Sequence, residues 1–147
     1  MRLEALLSQN MQCDAAHADV EITGLTDDSR IVAPGYLFAA LPGEHVDGNR
    51  FVAQAVAQGA AAVLTAQPDA GLSIPVLYDE NPRRALAKLA GRFFAFRPEC
   101  TVGITGTNGK TSTAAFLRQF WTDAGLSAAS LGTLGVVTQE FTRPINH

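Results

Sequence analysis

Residues Thr101–Thr113 read TVGITGTNGKTST, and this stretch decides the fold of the second part of the chain. The β-branched residues ahead of the glycines predict a short strand, and Lys110-Thr111 predict the start of a helix. Glycines let a turn bring several backbone N–H groups close to an anion, and the first helical turn adds unpaired N–H groups and a positive dipole end. The stretch therefore predicts a strand, a phosphate-binding loop and a helix that together bind a nucleoside triphosphate.

Two side chains of this loop have predicted chemical roles. Lys110 supplies a mobile positive charge for the β- and γ-phosphates, and the hydroxyl of Thr111 is a candidate ligand for the accompanying Mg²⁺. The glycine spacing departs from the strict P-loop pattern, because Ile104 stands where the first glycine belongs. A tight strand-to-helix turn with an exposed lysine is the plain structural alternative. The apolar helical pattern of residues 114–121 argues for the nucleotide site instead.

Composition excludes several classes of protein. The chain has 147 residues, 47% hydrophobic and 17% charged, which is typical of a globular protein with a core. Its net charge of −3 gives no basis for a nucleic-acid partner. No apolar run is long enough to span a membrane, and the first residues predict a short helix rather than a signal peptide. Cys13 and Cys100 are interpreted as reduced thiols of a cytoplasmic protein.

The rest of the chain alternates between predicted strands and helices. Proline, glycine and apolar runs predict strands at 20–25, 36–41, 61–65, 75–78, 128–132 and 136–141, and helices at 51–58, 82–96 and 111–124. Arg97-Pro98 interrupts the second long helix, so the predicted domains are residues 1–98 and 99–147. The pattern predicts an α/β fold: a mixed α/β domain followed by the start of a parallel-sheet ATP-binding domain.

The second predicted domain is incomplete. The residues after Thr111 allow one helix and two short strands, whereas a P-loop domain covers both faces of a parallel sheet with helices. No later strand ends in an acidic residue that would complete a metal site. The chain is therefore expected to stop inside its nucleotide-binding domain.

Several separated motifs resemble the Mur ligase family. Residues 23–30, 34–40, 43–48 and 58–60 resemble the family's amino-terminal domain, and residues 103–113 and 131–135 resemble the start of its ATP-binding central domain. The resemblance covers nearly the whole chain, and the unusual glycine spacing is the family's own form. Within the family, GTNGKT followed by GTLG resembles the class that adds the third residue of the peptidoglycan peptide.

The resemblance implies an ATP- and Mg²⁺-dependent amide ligase of peptidoglycan precursor synthesis. In such an enzyme ATP phosphorylates the D-Glu side carboxylate of UDP-N-acetylmuramoyl-L-Ala-D-Glu. The amine of meso-diaminopimelate or lysine then attacks the acyl phosphate. The resemblance assigns ATP contacts to Gly106, Thr107, Asn108, Gly109, Lys110, Thr111 and Ser112, with the backbone of residues 106–109 as the phosphate cradle and Lys110 and Thr111 as catalytic residues.

The resemblance also implies that residues 1–98 hold the uridine diphosphate end of the substrate. The positions that match are Asp27, Ser29, Arg30, Glu44, His45 and Val46. Structural alternatives stay open for several of them. Residues 27–30 also fit a solvated turn with an Asx-type cap, and Arg30 also fits an ion pair with Asp28 or Asp47. An exposed acid near a diphosphate is repulsive, so Asp27 is expected to act through its backbone.

Other functions also stay open. The chain alone is expected to lack ligase activity, because the family's carboxy-terminal, amino-acid-selecting domain is not in it. The alternatives are a self-contained P-loop NTPase, a module that only binds a UDP-sugar, and another amide ligase of the superfamily. The pattern at residues 27–48 disfavours a folate ligase, and the Thr-Asn-Gly-Lys-Thr core disfavours the ligase that adds D-Ala-D-Ala.

Overall fold

The computed structural model describes residues 1–7, 19–43, 46–67 and 72–144. It divides into two compact units, Met1–Arg97 and Pro98–His147. The division falls at the Arg97-Pro98 dipeptide, where proline lacks an N–H and disfavours helical geometry in the residue before it.

The first unit contains a sheet of four parallel strands. The strands are β1 (Gly24–Thr26), β2 (Tyr36–Ala39), β3 (Ala62–Thr65) and β4 (Val76–Tyr78). They lie side by side in chain order, and every pair is parallel. The carboxyl ends of all four strands therefore meet at one edge of the sheet, which is called here the carboxyl edge.

Three helices accompany this sheet: α1 (Leu3–Leu6), α2 (Val52–Ala57) and α3 (Pro82–Phe93). Helix α3 has a well-defined start, because the Asn81 side chain accepts a hydrogen bond from the Arg84 N–H at 3.0 Å and Pro82 follows the cap. It ends at Phe93, three residues earlier than predicted. Helix α2 is followed by Gly59 in the left-handed region at φ +94°, the expected glycine stop.

Helices cover both faces of the sheet. Side chains alternate along each strand, so successive residues of a strand pack into different clusters. On β2, Leu37 and Ala39 pack with α1 and α3, while Phe38 packs on the opposite face with α2. The first cluster contains Leu3, Leu6, Ile22, Leu37, Ala39, Ala62, Leu64, Leu77, Ala85 and Leu89. The second contains Phe38, Ala40, Val52, Ala55, Ala60 and Val63. This arrangement confirms the predicted α/β architecture.

The strand predicted at 20–25 is divided between two partners. Residues 20–22 pair with the amino terminus, where the Leu3 N–H donates to the Val20 carbonyl and the Ile22 N–H to the Met1 carbonyl, both at 2.8 Å. Only Gly24–Thr26 joins the sheet. The carboxyl end of α1 is tied to α3 by Arg92, whose Nη1 donates to the Leu6 carbonyl at 2.8 Å.

The second unit contains helix α4 (Lys110–Asp123) and the strands β5 (Ser130–Gly132), β6 (Gly135–Val137) and β7 (Thr142–Arg143). The three strands form an antiparallel sheet, and Thr133-Leu134 make the turn between β5 and β6. Gly135 has φ +89°, and a Cβ there would collide with the Arg143 carbonyl, so this position requires glycine. The predicted stop of α4 at Gly125 is confirmed by its φ of +79°.

The second unit differs from expectation in its strands. Residues 101–105 form no strand, because a strand needs a hydrogen-bonding neighbour and the described strands of this unit pair with one another. A parallel sheet was expected in this unit, but its described strands follow one another closely in the chain and pair as an antiparallel sheet. In the first unit, α2 starts at the buried Val52 rather than at Phe51, the first residue of the predicted helix, which is 39% exposed. In the described ranges, no helix has the length and apolar character needed to cross a membrane.

The core of the first unit gives a stability prediction. Leu64 lies on the inner strand β3 and is fully buried, so Leu64→Ala is expected to lower the free energy of unfolding by about 2–5 kcal/mol. Ile31 is 62% exposed, and Ile31→Ala is the control, with an expected change of about 0.5 kcal/mol or less. Urea denaturation followed by circular dichroism measures both. Equal effects of the two substitutions would contradict the assigned core.

Candidate functional site

The carboxyl edge of the parallel sheet brings together two segments that are separate in sequence. Asp27, Ser29 and Arg30 follow β1, and Val46 lies in the loop after β2, the strand next to β1. In open parallel sheets, ligands bind outside the carboxyl ends of the strands. Glu44 and His45, the other predicted contacts of this loop, lie outside the described residues.

Residues 26–30 form a turn held by side-chain caps. The Thr26 hydroxyl accepts a hydrogen bond from the Asp28 N–H at 3.0 Å, and Asp28 Oδ1 accepts one from the Arg30 N–H at 2.9 Å. The second bond caps a short 3₁₀ turn, Ser29–Ile31. This is the Asx-type cap considered as an alternative from the sequence.

Asp28 and Arg30 also form a two-point ion pair. Arg30 Nε donates to Asp28 Oδ1 at 2.8 Å, and Nη2 donates to Oδ2 at 2.7 Å. The side-chain hydrogen bonds from Arg30, followed by the bond from its backbone N–H, lower the pKa of Asp28 to about 2. The carboxylate is therefore ionised at neutral pH, and it balances the charge of an arginine that the sequence proposed as a substrate contact.

The other two residues of this segment differ in exposure. Ser29 is only 8% exposed, and its hydroxyl donates to Gln54 Oε1 of α2 at 3.4 Å. Asp27 is exposed. The segment thus presents one solvated carboxylate, one balanced ion pair and one hydroxyl held against α2.

The loop after β2 is closed at its base by backbone contacts. The Gly48 N–H donates to the Leu41 carbonyl at 3.0 Å, and the Gly43 N–H donates to the Val46 carbonyl at 3.2 Å. Pro42 and Asp47 form a β-bridge between these two bonds. A Cβ at Gly48 would lie 2.7 Å from both the N and the O of Leu41, so glycine is needed for this close approach. Pro42 and Gly43, together with residues 46–48, therefore form a backbone-bonded base of this loop, called here the loop base.

Side chains of the segment after β2, of the last residue of β3 and of helix α3 hold this base. Asp47 Oδ1 accepts from the Asn49 N–H at 3.0 Å, and Thr65, 1% exposed, donates from Oγ1 to Asn49 Oδ1 at 2.6 Å. Arg83 Nη2 donates to the Pro42 carbonyl at 3.0 Å. Thr65 and Arg83 were not identified from the sequence, since their partners lie 16 and 41 residues away. Thr65 ends the predicted strand 61–65 and Arg83 lies near the start of the predicted helix 82–96, positions that do not by themselves indicate their partners.

The glycine-rich loop of the second unit has the backbone that the sequence predicts. Gly106 and Gly109 have φ of +139° and +75°, which favour glycine. Gly109 is the N-cap of α4, and its carbonyl accepts from the Thr113 N–H at 2.9 Å, the first bond of the helix. The N–H groups of residues 110–112 therefore have no intrahelical partner and are available to an anion.

Lys110 and Thr111 lie in the first turn of α4, directly after the glycine-rich loop. Lys110 Nζ donates to the carbonyl of Gly106 and to that of Thr107, the latter at 3.3 Å, so the ammonium group lies inside the curve of the loop. Thr111 Oγ1 lies 3.4 Å from Thr133 Oγ1 in the β5–β6 turn. Thr133 belongs to the GTLG motif, but the sequence assigned it no chemical role.

These groups fit a nucleoside triphosphate with a hard cation. Exposed N–H groups and an ammonium group complement phosphate oxygens, and hydroxyl oxygens suit Mg²⁺. Among the described residues, no three His, Cys, Asp or Glu side chains form a metal-binding group. A Mg²⁺ ion at Thr111 would therefore take further ligands from the phosphates and water, as this ion commonly does.

Comparison with known proteins supports one family. The sequence model of the "Mur ligase family, catalytic domain" matches residues 21–94, half of the chain. A relative from Bradyrhizobium diazoefficiens, named UDP-N-acetylmuramoyl-L-alanyl-D-glutamate–2,6-diaminopimelate ligase, is 45% identical over 97% of this chain and 29% of its own length. One of the same name from Mesorhizobium japonicum is 51% identical over 83% of this chain and 26% of its own length. The chain thus spans less than a third of these curated relatives.

Solved structures show a similar fold. A UDP-N-acetylmuramoyl-L-alanyl-D-glutamate–2,6-diaminopimelate ligase matches 98% of this chain and 30% of its own with a TM-score of 0.77, at 22% identity. The MurF ligase of Thermotoga maritima, in complex with ADP, matches 71% of this chain and 24% of its own with a TM-score of 0.56, at 27% identity.

The Asp28–Arg30 ion pair gives a pH prediction. Because the pKa of Asp28 is depressed to about 2, the pair stabilises the folded chain above the ordinary carboxyl pKa of about 3.9, and this contribution is lost as the pH falls through about 2. Arg30→Gln should move the midpoint of Asp28 upwards, as followed by carboxyl-carbon NMR. Arg84→Gln, the control, should leave it unchanged. An Asp28 midpoint near 4 in the wild-type chain would contradict the ion pair.

Proposed function

Because the chain belongs to the Mur ligase family, we propose that it carries the uridine-nucleotide module and the start of the ATP site of a peptidoglycan precursor ligase. The family match confirms the resemblance that its sequence motifs indicate. The proposed enzyme joins an amino acid to UDP-N-acetylmuramoyl-L-Ala-D-Glu with consumption of ATP, in the cytoplasm. The names of the relatives support 2,6-diaminopimelate as that amino acid.

The observation that carries the first half of this proposal is the carboxyl edge of the sheet. The segment 27–30 and the loop base follow β1 and β2, which are neighbouring strands, at the edge where parallel sheets bind ligands. Residues 1–98 are the proposed binding domain for the UDP end of the substrate. Asp27, Ser29, Arg30, Glu44, His45 and Val46 are the proposed contacts.

Charge favours one orientation of the nucleotide. The ion pair with Asp28 balances Arg30, and the exposed Asp27 adds a negative charge. A diphosphate placed there would meet net repulsion, whereas the neutral uridine would not. The segment 27–30 is therefore proposed to contact the uridine, with Asp27 acting through its backbone and the Ser29 hydroxyl oxygen, whose proton is donated to Gln54, serving as an acceptor.

The second half of the proposal rests on the glycine-rich loop. The backbone of residues 106–109 and the N–H groups at the start of α4 bind phosphate oxygens, with Ser112 in the same helical turn. Lys110 offsets the charge of the β- and γ-phosphates, and Thr111 provides an oxygen ligand for Mg²⁺. The ion, when bound, would neutralise further phosphate charge. Residues 99–147 are proposed as the start of this ATP-binding domain.

The proposed chemistry explains why ATP is needed. A carboxylate is a poor electrophile at neutral pH, so the D-Glu side carboxylate must be converted to an acyl phosphate before an amine can form the amide. The residues of this chain contribute by positioning the phosphates and offsetting their charge. The chain alone is expected to bind its nucleotides without completing the reaction. In such an assay it would behave like the binding-only module considered as an alternative.

The proposal predicts direct binding of the UDP-linked substrate. Calorimetric titration of the 147-residue chain with UDP-N-acetylmuramoyl-L-Ala-D-Glu should show binding, weakened about tenfold by Ser29→Ala through loss of one hydrogen bond. Gln54→Ala is the matched control, because it removes the hydrogen-bond partner of Ser29 but keeps the hydroxyl. That variant should retain the wild-type affinity.

A parallel titration with Mg-ATP separates the two halves of the proposal. Binding of Mg-ATP without binding of the UDP ligand would contradict the uridine module and favour a different P-loop protein. Equal weakening by Ser29→Ala and Gln54→Ala would show that the Ser29–Gln54 contact supports the fold rather than the ligand.

A further inference from the structure

One long-range contact joins α3 to the loop base. Arg83 Nη2 donates to the Pro42 carbonyl at 3.0 Å, across 41 residues of sequence. Arg83 lies in the first turn of the helix that follows β4, whereas Pro42 opens the loop that follows β2. The bond therefore reaches across the end of β3, the strand between them.

The donor residue, Arg83, lies on helix α3, whose start is capped and whose inner face is packed in the core. Helix α3 starts at a cap in which Asn81 accepts from the Arg84 N–H at 3.0 Å, while the Asn81 N–H donates to Asp79 Oδ1 at 2.8 Å. Ala85 and Leu89 of the same helix are buried in the core. The backbone of Arg83 is thus fixed relative to the sheet, and its guanidinium is set at the carboxyl edge.

The acceptor belongs to the loop base. Pro42 is bridged to Asp47 and directly precedes Gly43, whose N–H donates to the Val46 carbonyl at 3.2 Å. Proline has no N–H, so its carbonyl is the only backbone group through which it can form a hydrogen bond. A bond to a guanidinium is charge-assisted and directional, which makes this carbonyl a suitable point for fixing the loop.

We infer that Arg83 is a positioning residue of the nucleotide site: its bond to Pro42 fixes the loop base, which carries the proposed contact Val46, for a uridine nucleotide. This inference rests on the proposed function, in which that loop contacts the ligand. The role is indirect, because Arg83 acts through the loop backbone. Since the bond is exposed to solvent, its loss should affect the loop more than the stability of the whole unit.

The chain offers a matched control in the next residue. Arg84 carries the same charge on the same helical turn and is also exposed, but within the described residues its side chain makes no hydrogen bond to the loop. Arg83→Ala and Arg84→Ala change the net charge equally. A difference between them therefore reports the bond to Pro42 rather than long-range attraction of an anion.

The test is an NMR-monitored titration of the 147-residue chain with UDP and, separately, with uridine. Arg83→Ala should weaken both ligands by a similar factor of about three to ten, the effect of one lost hydrogen bond. Arg84→Ala should keep the wild-type affinity for uridine. Arg83→Lys, which retains a cationic donor, should restore most of the affinity. Amide exchange at Gly43 and Gly48 should accelerate in Arg83→Ala with an unchanged melting temperature.

The outcomes separate this inference from the proposed function. If the wild-type chain binds neither ligand, the proposed function fails and the role of Arg83 fails with it. If the wild-type chain binds and Arg83→Ala binds equally well, the role of Arg83 alone is overturned. Weakening confined to UDP would assign Arg83 to a direct phosphate contact and would also overturn the positioning role. An Arg83→Lys variant that is folded but as weak as Arg83→Ala would count against the cationic bond.

Discussion

Parallel pairing of four short strands is the constraint on which the first unit depends. Parallel strands cannot be joined by tight hairpins, so each connection must cross from one end of the sheet to the other. One such connection contains α2, which covers one face, while α1 and α3 cover the other. The same pairing puts every strand's carboxyl end at one edge, so the core and the candidate nucleotide site have a single structural cause.

Polar contacts at this edge turn a row of strand ends into a defined surface. The Asn49–Thr65 hydrogen bond links the loop after β2 to the end of β3, and the Arg83–Pro42 bond links it to the helix after β4. The Asp28–Arg30 pair leaves the segment after β1 without a free positive charge. These bonds hold the loop base against its neighbours, and the proposed uridine contact lies at the β1 side of this edge.

Much of the fold could be predicted from the sequence, because its signals are local. Apolar runs bounded by glycine and proline predicted β2, β3, β4 and the two helices α2 and α3, and the positive φ of Gly59 and Gly125 confirms two of the helix stops. The division of residues 20–26 between the amino terminus and β2 could not be predicted, since both partners are distant in sequence. The strand predicted at 101–105 is absent for a related reason: β-branched residues form a strand only beside a pairing partner, and local sequence does not show whether one is present.

The candidate site shows the same difference between local contacts, which could be predicted, and long-range contacts, which could not. The glycine-rich loop and the Asx-type turn at Asp28 were readable because their contacts span a few residues. Arg83, Thr65 and Thr133 were missed, since each acts through a partner at least 16 residues away that only the folded chain brings near. The functional roles of the predicted contact residues stay predictions.

Mapping of backbone amide shifts during titration with UDP-N-acetylmuramoyl-L-Ala-D-Glu tests the central claim most directly. The account predicts the largest changes at residues 27–30 and 42–48, with little change at Thr23, Gly35 and Gly59 at the opposite edge of the sheet. Changes centred on the opposite edge, or confined to the glycine-rich loop at 103–113, would contradict a uridine-nucleotide site at the carboxyl edge.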